Sequence, residues 1–548
     1  MMELTQMKFR YDNSTNMKNV LFLFALFLYS TPCLIAQNPN ILLIIADDLG
    51  VDALNGYNVG SIKPNTPHLD SLRNSGLNFT NAWAAPVCSP TRAGMLSGLY
   101  GSKNGVKSVP GNLDTSHTSL FRKLKAVNPS YTVGVSGKWH ITMPVNVLHP
   151  YLHGTDHYMG VIEGAVSAYD NWEKTEGNTT NSSTDYVTSY FTDDAIGWIN
   201  NQNNPWFMWL AHVAPHTPLH VPPAHMFTQA ATNSLFQQYL AMVESLDYEV
   251  GRLLDSLTPD QKANTTIIFI GDNGSPNNVL QDYPALHGKA SLYQGGVHVP
   301  MFVSGYGVAR IGESEDALIN VIDIYATVLE LTGSELPGGI NNSLSFKHLL
   351  QSSELPKRQY NFSELDSNLL TIKTQGFAIR NTTYKLIEYH TGQQELFNLI
   401  SDKLETNNLL LGTLTSDEES IKLDLELEAD QRRNSWSCKD DIQNGDEEGI
   451  DCGGSVCNPC GSALPGTGNT SAMIEVFPNP SDNSIRILAE SEKMVGIRVL
   501  NGVGKVILSY ENVNARSFKL DISGLSPNLY ILNLDFSTHT VTRKILVQ

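Results

Sequence analysis

The sequence predicts an α/β protein with a mostly parallel central sheet flanked by helices, followed by a smaller α+β subdomain, a cysteine-rich module and a small β-sandwich. Three observations predict it. The runs Pro39–Ala46 and Thr265–Ile270 are continuously apolar and rich in β-branched residues, as in strands buried on both faces. Helix-length segments such as Ser234–Ser256 lie between such runs. Beyond about residue 340 the pattern becomes one of short alternating hairpins, and after a Gly/Ser/Pro/Thr linker it becomes short strands separated by turns.

The chain has 548 residues, too many for one compact core. Its net charge is −19, which argues against nucleic acid or an anionic membrane surface as a partner. An anionic substrate would need positive charge gathered locally against that field. No apolar run past the N-terminus is long enough for a transmembrane span.

Residues 1–36 read as a signal peptide. Met17-Lys18-Asn19 is a short basic start, Val20–Tyr29 an apolar core, and Leu34-Ile35-Ala36 a cleavage site before Gln37. Met17 is therefore expected to be the true start, and Cys33 to be lost on processing. Ser30-Thr31-Pro32 is a poor match to a lipidation box.

The main α/β domain is placed at 37–340, with strands also at Trp206–Val213. In such sheets function collects at the C-terminal strand ends. Asp47-Asp48 follow the first run and Asp272-Asn273 the later one. Three carboxylates and an amide oxygen suit a hard divalent cation such as calcium, and two adjacent acids repel without one. Capping or turn formation is the alternative reading for either pair alone. Cys88 stands apart from every other cysteine, which calls for an explanation in an exported chain. Ala93 onward reads as a helix, which places Cys88 and Arg92 near a terminus that favours anions. A buried structural thiol is the plain alternative.

Residues 341–430 form the α+β subdomain, where Phe377–Arg380 and Tyr384–Ile387 alternate as hairpin strands do. Residues 434–461 hold Cys438, Cys452, Cys457 and Cys460, read as two disulfides with three possible pairings. Zinc is the rival, from the spacing of Cys457 and Cys460, and the acidic residues there could bind a second calcium. A linker at 462–472 leads to a sandwich at 473–548.

Cys88-x-Pro90-x-Arg92, continued by Ala93-Gly94-Met95-Leu96-Ser97-Gly98-Leu99-Tyr100, resembles the signature of the type I, formylglycine-dependent sulfatases of the alkaline phosphatase superfamily. Asp47-Asp48, Gly137-Lys138-Trp139-His140, Ala214-Pro215-His216-Thr217-Pro218, Asp272-Asn273-Gly274 and His287-Gly288-Lys289 keep that family's order. The resemblance runs over residues 38–410. It implies an alkaline phosphatase-like fold and hydrolysis of sulfate esters. It implies that Cys88 is oxidised to formylglycine by a separate maturation enzyme, and that one hydroxyl of the hydrated aldehyde attacks sulfur. One calcium ion would be held by Asp47, Asp48, Asp272, Asn273 and the side chain at Cys88. Arg92, Lys138 and Lys289 would gather the sulfate. His140 would take the proton that releases it, and His216 would protonate the leaving oxygen. Gln294 and His298 depart from the Glu and Arg common in the family. His287 is a candidate substrate contact, whereas His212, His220 and His225 read as loop polarity or packing.

Val476-Phe477-Pro478-Asn479-Pro480, Asp521–Leu525, Tyr530–Leu532 and the ending Arg543–Val547 resemble a type IX secretion sorting domain. A carbohydrate-binding sandwich is the alternative. The resemblance implies a protein secreted or held at the cell surface, exported through the periplasm of a Gram-negative bacterium by the type IX secretion machinery. A sulfated carbohydrate follows as the expected substrate: an algal-type polysaccharide such as ulvan, carrageenan or fucan, or its oligosaccharides. Two rival functions remain at this level. One is a phosphodiester or phosphonate monoester hydrolase of the same superfamily. The other is a non-catalytic, glycan-binding surface protein.

Overall fold

The computed structural model describes residues 38–434, apart from 144–145, 230–232, 337–338 and 367–373, and most of 474–547. The signal segment, the module with Cys438, Cys452, Cys457 and Cys460, and the linker lie outside the described residues.

One sheet organises the first half of the chain. Its strands are β1 (Asn40–Ala46), β2 (Gly76–Trp83), β3 (Thr132–Lys138), β4 (His157–Val161) and β5 (Trp172–Glu176), then β6 (Thr179–Ser183), β7 (Trp206–Ala211), β8 (Thr265–Gly271), β9 (Met301–Gly305) and β10 (Glu313–Asn320). Across the sheet the order is β10-β2-β9-β8-β1-β7-β3-β4-β5-β6. β1 runs parallel to both β7 and β8, and β3 and β4 continue that direction. β9 is antiparallel to both neighbours, so β2 and β10 point the same way as β1. The hairpin β5–β6 closes one edge with antiparallel pairing.

The continuous apolar character of β1 has a plain cause. Ile41, Leu43 and Ile45 enter the core on one face, and Leu42, Ile44 and Ala46 enter the core on the other. Successive side chains alternate, so a strand covered on both sides has no solvent-facing position to favour polar residues. Helices Val187–Asn200 and Leu235–Ser256 cover one face, and helices Leu120–Val127 and Asp323–Leu331 help cover the other. Ser234 begins the long helix through a reciprocal capping box with Gln237.

One sequence expectation is corrected here. The helix after β2 begins at Cys88, not at Ala93. Pro90 falls in its first turn, where the missing N–H has no intrahelical partner to lose. Cys88 is thereby the first helical residue.

β11 (Asn361–Leu365), β12 (Gly376–Arg380), β13 (Tyr384–Tyr389) and β14 (Gln394–Asn398) form an antiparallel meander. Helix Ser416–Asn434 covers it, with Leu425 and Ala429 packed beside Ile379 and Leu386. Toward the C-terminus, β15 (Ile474–Phe477), β16 (Ser484–Ala489) and β19 (Ser517–Asp521) form one sheet. β17 (Met494–Leu500), β18 (Val506–Ala515), β20 (Asn528–Asp535) and β21 (Thr540–Val547) form a second. Ile487 and Leu520 of the first share a core with Ile497, Leu532 and Ile545 of the second, a small sandwich. Among the described residues no helix is long and apolar enough to cross a membrane.

β3 delivers Lys138 to the sheet edge, and its approach to β4 depends on glycine. Gly137 pairs with Gly160, and a Cβ on Gly160 would lie 1.8 Å from the Gly137 carbonyl oxygen. Gly160→Ala is expected to lower stability by roughly 2–3 kcal/mol through overpacking. An unchanged urea midpoint would contradict this.

Candidate active site

The parallel strands end together, and the chemically loaded residues stand at that edge. Asp47 and Asp48 follow β1, Asp272 and Asn273 follow β8, and Lys138 ends β3. His212 and His216 follow β7, and Cys88 opens the helix after β2. The backbone ladder carries past the strand ends: Asp47 N donates to Ala214 O at 3.1 Å and Asp272 N to Ala46 O at 3.0 Å. Asp48 and His140 both turn through left-handed backbone, with φ of 65° and 56°. Such strain at a non-glycine residue persists where the surroundings enforce it. For Asp48 the Tyr239 hydroxyl does so by donating to its carbonyl at 2.8 Å.

Three buried carboxylates meet three cations. Lys138 Nζ lies 2.6 Å from Asp47 Oδ2, and Arg92 Nη2 lies 2.8 Å from Asp272 Oδ2. Lys289 Nζ lies 2.6 Å from Asp48 Oδ1. Arg92 also donates to the Lys138 carbonyl at 2.8 Å, which ties the β3 end to the Cys88 helix. Burial pushes the Asp48 carboxyl up, but Lys289, His216 and Lys138 outweigh it and hold it below the usual carboxylate range. Burial, and then Asp47, pushes Asp272 up to about 6.

Cys88 sits between these groups, 2% exposed. Its Sγ is 3.2 Å from His140 Nδ1 and 3.5 Å from Lys138 Nζ. Burial raises its thiol above the ordinary value, against the pull of Lys138. Burial, followed by Lys138, holds His140 neutral. Ser89 anchors the same turn by donating to the His140 carbonyl at 2.7 Å. His216 Nδ1 donates to the Thr217 carbonyl at 2.7 Å, because a carbonyl can only accept. That leaves Nε2 as the atom facing Asp48 Oδ2, at 3.7 Å.

The donor set fits a hard cation. Asp47 Oδ1 and Asn273 Oδ1 are buried with no hydrogen-bond partner among the described residues. Native structures rarely leave such oxygens unsatisfied, and oxygen is what calcium takes. Ligand atoms of Asp47, Cys88 and Asp272 lie within 4.8 Å of one another, as do those of Asp47, Asp48 and His216. Asn273 Nδ2 donates to Asp48 Oδ1 at 2.8 Å, which brings the fourth predicted oxygen ligand into the group.

Asp47, Asp48, Cys88, Arg92, Lys138, His140, His216, Asp272, Asn273 and Lys289 therefore meet in one place, whereas no contact joins His287 to them among the described residues. Sequence reasoning missed the layer behind them. Asp52 accepts from Ser275 Oγ at 2.7 Å and from Gln281 N at 3.0 Å. Ser275 in turn lies 3.0 Å from the Tyr239 hydroxyl that holds Asp48. Tyr169 donates to the His216 carbonyl at 2.7 Å. The only available signal was a third acid, Asp52, shortly after Asp47-Asp48. His287 stacks on Tyr293, with ring centroids 3.5 Å apart and planes 3° apart.

His212 follows the packing reading. It is fully buried, and neither ring nitrogen has a partner among the described residues. Burial holds it down at about 3. The unfolded chain gains a proton below the ordinary value of 6.5 while the folded chain does not. This stability is complete above pH 6.5 and lost as pH falls toward 3. His212→Leu is expected to flatten the acid-side decline of the unfolding midpoint over that window. A profile parallel to wild type would refute this.

The family described as Sulfatase matches residues 39–334. The N-sulphoglucosamine sulphohydrolase C-terminal family matches 285–433, and the secretion system C-terminal sorting domain matches 475–548. The chain is 29% identical over 341 residues to N-acetylgalactosamine-6-sulfatase of Mus musculus, an alignment covering 55% of this chain and 64% of the relative. It is 27% identical over 530 residues to a sulfatase of Formosa agariphila, covering 75% of this chain and 90% of the relative. The chain thus spans under two thirds of the mammalian relative and most of the bacterial one. The fold matches the crystal structure of Ps i-CgsB in complex with k-i-k-neocarrahexaose, with a TM-score of 0.61, 24% identity, and coverage of 73% of this chain and 94% of that one. It also matches the PsFucS1 sulfatase of Pseudoalteromonas sp., with a TM-score of 0.59, 20% identity, and coverage of 76% and 94%.

Proposed function

We propose that this chain, which belongs to the sulfatase family, is an exported hydrolase that removes sulfate from carbohydrates. The observation that carries the reading is the surroundings of Cys88. One side chain, at a helix start, touches a neutral histidine and a lysine, beside three carboxylates and three cations. In this reading Cys88 Sγ stands where the oxygen of a formylglycine hydroxyl would be. Formylglycine, formed from Cys88 by a maturation enzyme, supplies an oxygen nucleophile that can later expel sulfate by returning to the aldehyde. Calcium, held by Asp47, Asp48, Asp272 and Asn273 with the side chain at Cys88, supplies a Lewis acid for sulfuryl oxygens.

The chain's own residues would divide the remaining work. His140 Nδ1, 3.2 Å from Cys88 Sγ, is placed to accept a proton from the side chain at that position. Lys138 and Lys289 reach the same space and orient an anionic ester. His216 presents Nε2 toward Asp48 and, once protonated, serves as the acid for the leaving oxygen. Arg92 has both faces committed, to Asp272 and to the Lys138 carbonyl. It acts by fixing Asp272 and the Cys88 helix.

The sorting domain at 475–548 supports export by the type IX route of Gram-negative bacteria. Substrate class rests on the relatives. One carries N-acetylgalactosamine-6-sulfatase in its name, and one fold neighbour was crystallised with a neocarrahexaose. A sulfated polysaccharide or its oligosaccharides, of carrageenan, fucan or ulvan type, is the proposed substrate.

Protein from a host that holds the maturation enzyme is expected to show, by mass spectrometry, loss of the Cys88 thiol in favour of an aldehyde or its hydrate. Cys88→Ala is expected to fold normally and to lose at least about a thousandfold in turnover of a sulfate ester, as removal of a nucleophile does. A matching phosphodiester with the same leaving group should be the poorer substrate. An unmodified thiol in such protein, or a preference for the phosphodiester, would sink the reading.

Removing divalent cations with a chelator is expected to abolish turnover, and calcium is expected to restore it. Activity that survives complete calcium removal, checked by elemental analysis, would exclude the metal role.

A further inference from the structure

A cleft of about 520 Å³ lies between the sheet edge at β2 and β10 and the meander β11–β14. Its size is that of a small-ligand pocket. Arg380, His298, Lys403, Asn81 and Thr382 line it, and among the described residues Asp316 is the only acid on its wall.

Arg380 is the unusual feature. It is 3% exposed. Of the buried arginines, Arg92 faces Asp272, Arg310 faces Glu315, and Arg358 faces Asp323. No carboxylate among the described residues forms an ion pair with Arg380. Its guanidinium donates to the Asn381 carbonyl at 2.8 Å, the Thr382 carbonyl at 3.0 Å and Asn81 Oδ1 at 3.2 Å. Those neutral acceptors use three of its five N–H groups. A buried cation without a counter-anion is costly.

The surroundings compensate the charge only in part. Burial pulls the guanidinium down to about 10, offset only in part by Glu405. Glu405 is already engaged, 2.5 Å from Lys385 Nζ and accepting from Gln294 N. Burial and then Arg380 hold His298 down at about 4. Lys403, which is exposed, adds a second cation to the lining.

We propose that this cleft binds a sulfate-type oxyanion through Arg380 and Lys403, either as the free ion or as a group carried on a polysaccharide. The lining of this cleft shares no residue with the cluster around Cys88, and the proposal does not depend on which ester that cluster hydrolyses.

Crystals of the full chain soaked in selenate should show an anomalous peak between Arg380 and Lys403. By equilibrium dialysis, Lys403→Ala should weaken that binding roughly three- to fivefold, the worth of one exposed charge. Turnover of a small sulfate ester should stay unchanged in this variant. Arg380→Gln should abolish binding at the cleft; if it fails to fold, Lys403→Ala decides alone. Displacement of selenate by a sulfated oligosaccharide, but not by its desulfated form, identifies a polymer group as the ligand. Displacement by inorganic sulfate alone identifies the free ion. Absence of a peak at Arg380, or dialysis unchanged in Lys403→Ala, would overturn the proposal whether or not the Cys88 site proves to be a sulfatase.

Discussion

The site is held together by the pairing of three buried carboxylates with three cations. Asp47, Asp48 and Asp272 converge at the ends of β1 and β8, and without opposing charge they would force those strand ends apart. Lys138, Lys289 and Arg92 answer them one for one. Each pair also crosses between elements: β3 to β1, the loop after β8 to β1, and the Cys88 helix to β8. The charges gathered at the candidate site therefore also fix where the elements end. The formal balance is neutral, three negative against three positive, with both His140 and His216 shifted toward the neutral form chiefly by burial. With calcium bound, the same arrangement would gain two positive charges. In the proposed reading, that gain lets a chain of net charge −19 hold an anionic ester.

Much of this was legible in the sequence because strand ends and polar residues coincide. A two-sided strand favours apolar residues and leaves no place for an unpaired charge, so Asp47-Asp48 and Asp272-Asn273 mark the end of a strand and a candidate site. Cys88 was legible as the cysteine without a neighbour. Its helix start was not, because Pro90 reads as a break when the first turn is one of the few places where proline fits a helix. The Tyr239, Ser275 and Asp52 layer was also invisible. Those residues act through long-range hydrogen bonds, with Tyr239 separated from Asp48 by 191 positions. No local pattern records such a pairing. The antiparallel insertion of β9 was hidden for a similar reason, since a central strand reads as apolar in either direction.

The departures at Gln294 and His298 become intelligible once the meander is in place. Gln294 Oε1 accepts from Trp83 Nε1 at 2.8 Å, and its backbone N donates to Glu405. A glutamate at that position would set a second buried carboxylate beside Glu405. The amide keeps the acceptor and removes the charge. His298 Nε2 donates to the Thr80 carbonyl at 2.8 Å while the ring stays neutral beside Arg380. An arginine there would add a cation where one already lacks a counter-ion. Both neutral residues preserve a hydrogen bond and lower the local charge. The loop carrying Lys289 is thus tied to the meander through Gln294 and Glu405, and Lys385 holds Glu405 from β13. The meander is accordingly part of what positions Lys289 opposite Asp48, a coupling that neither sheet could supply alone.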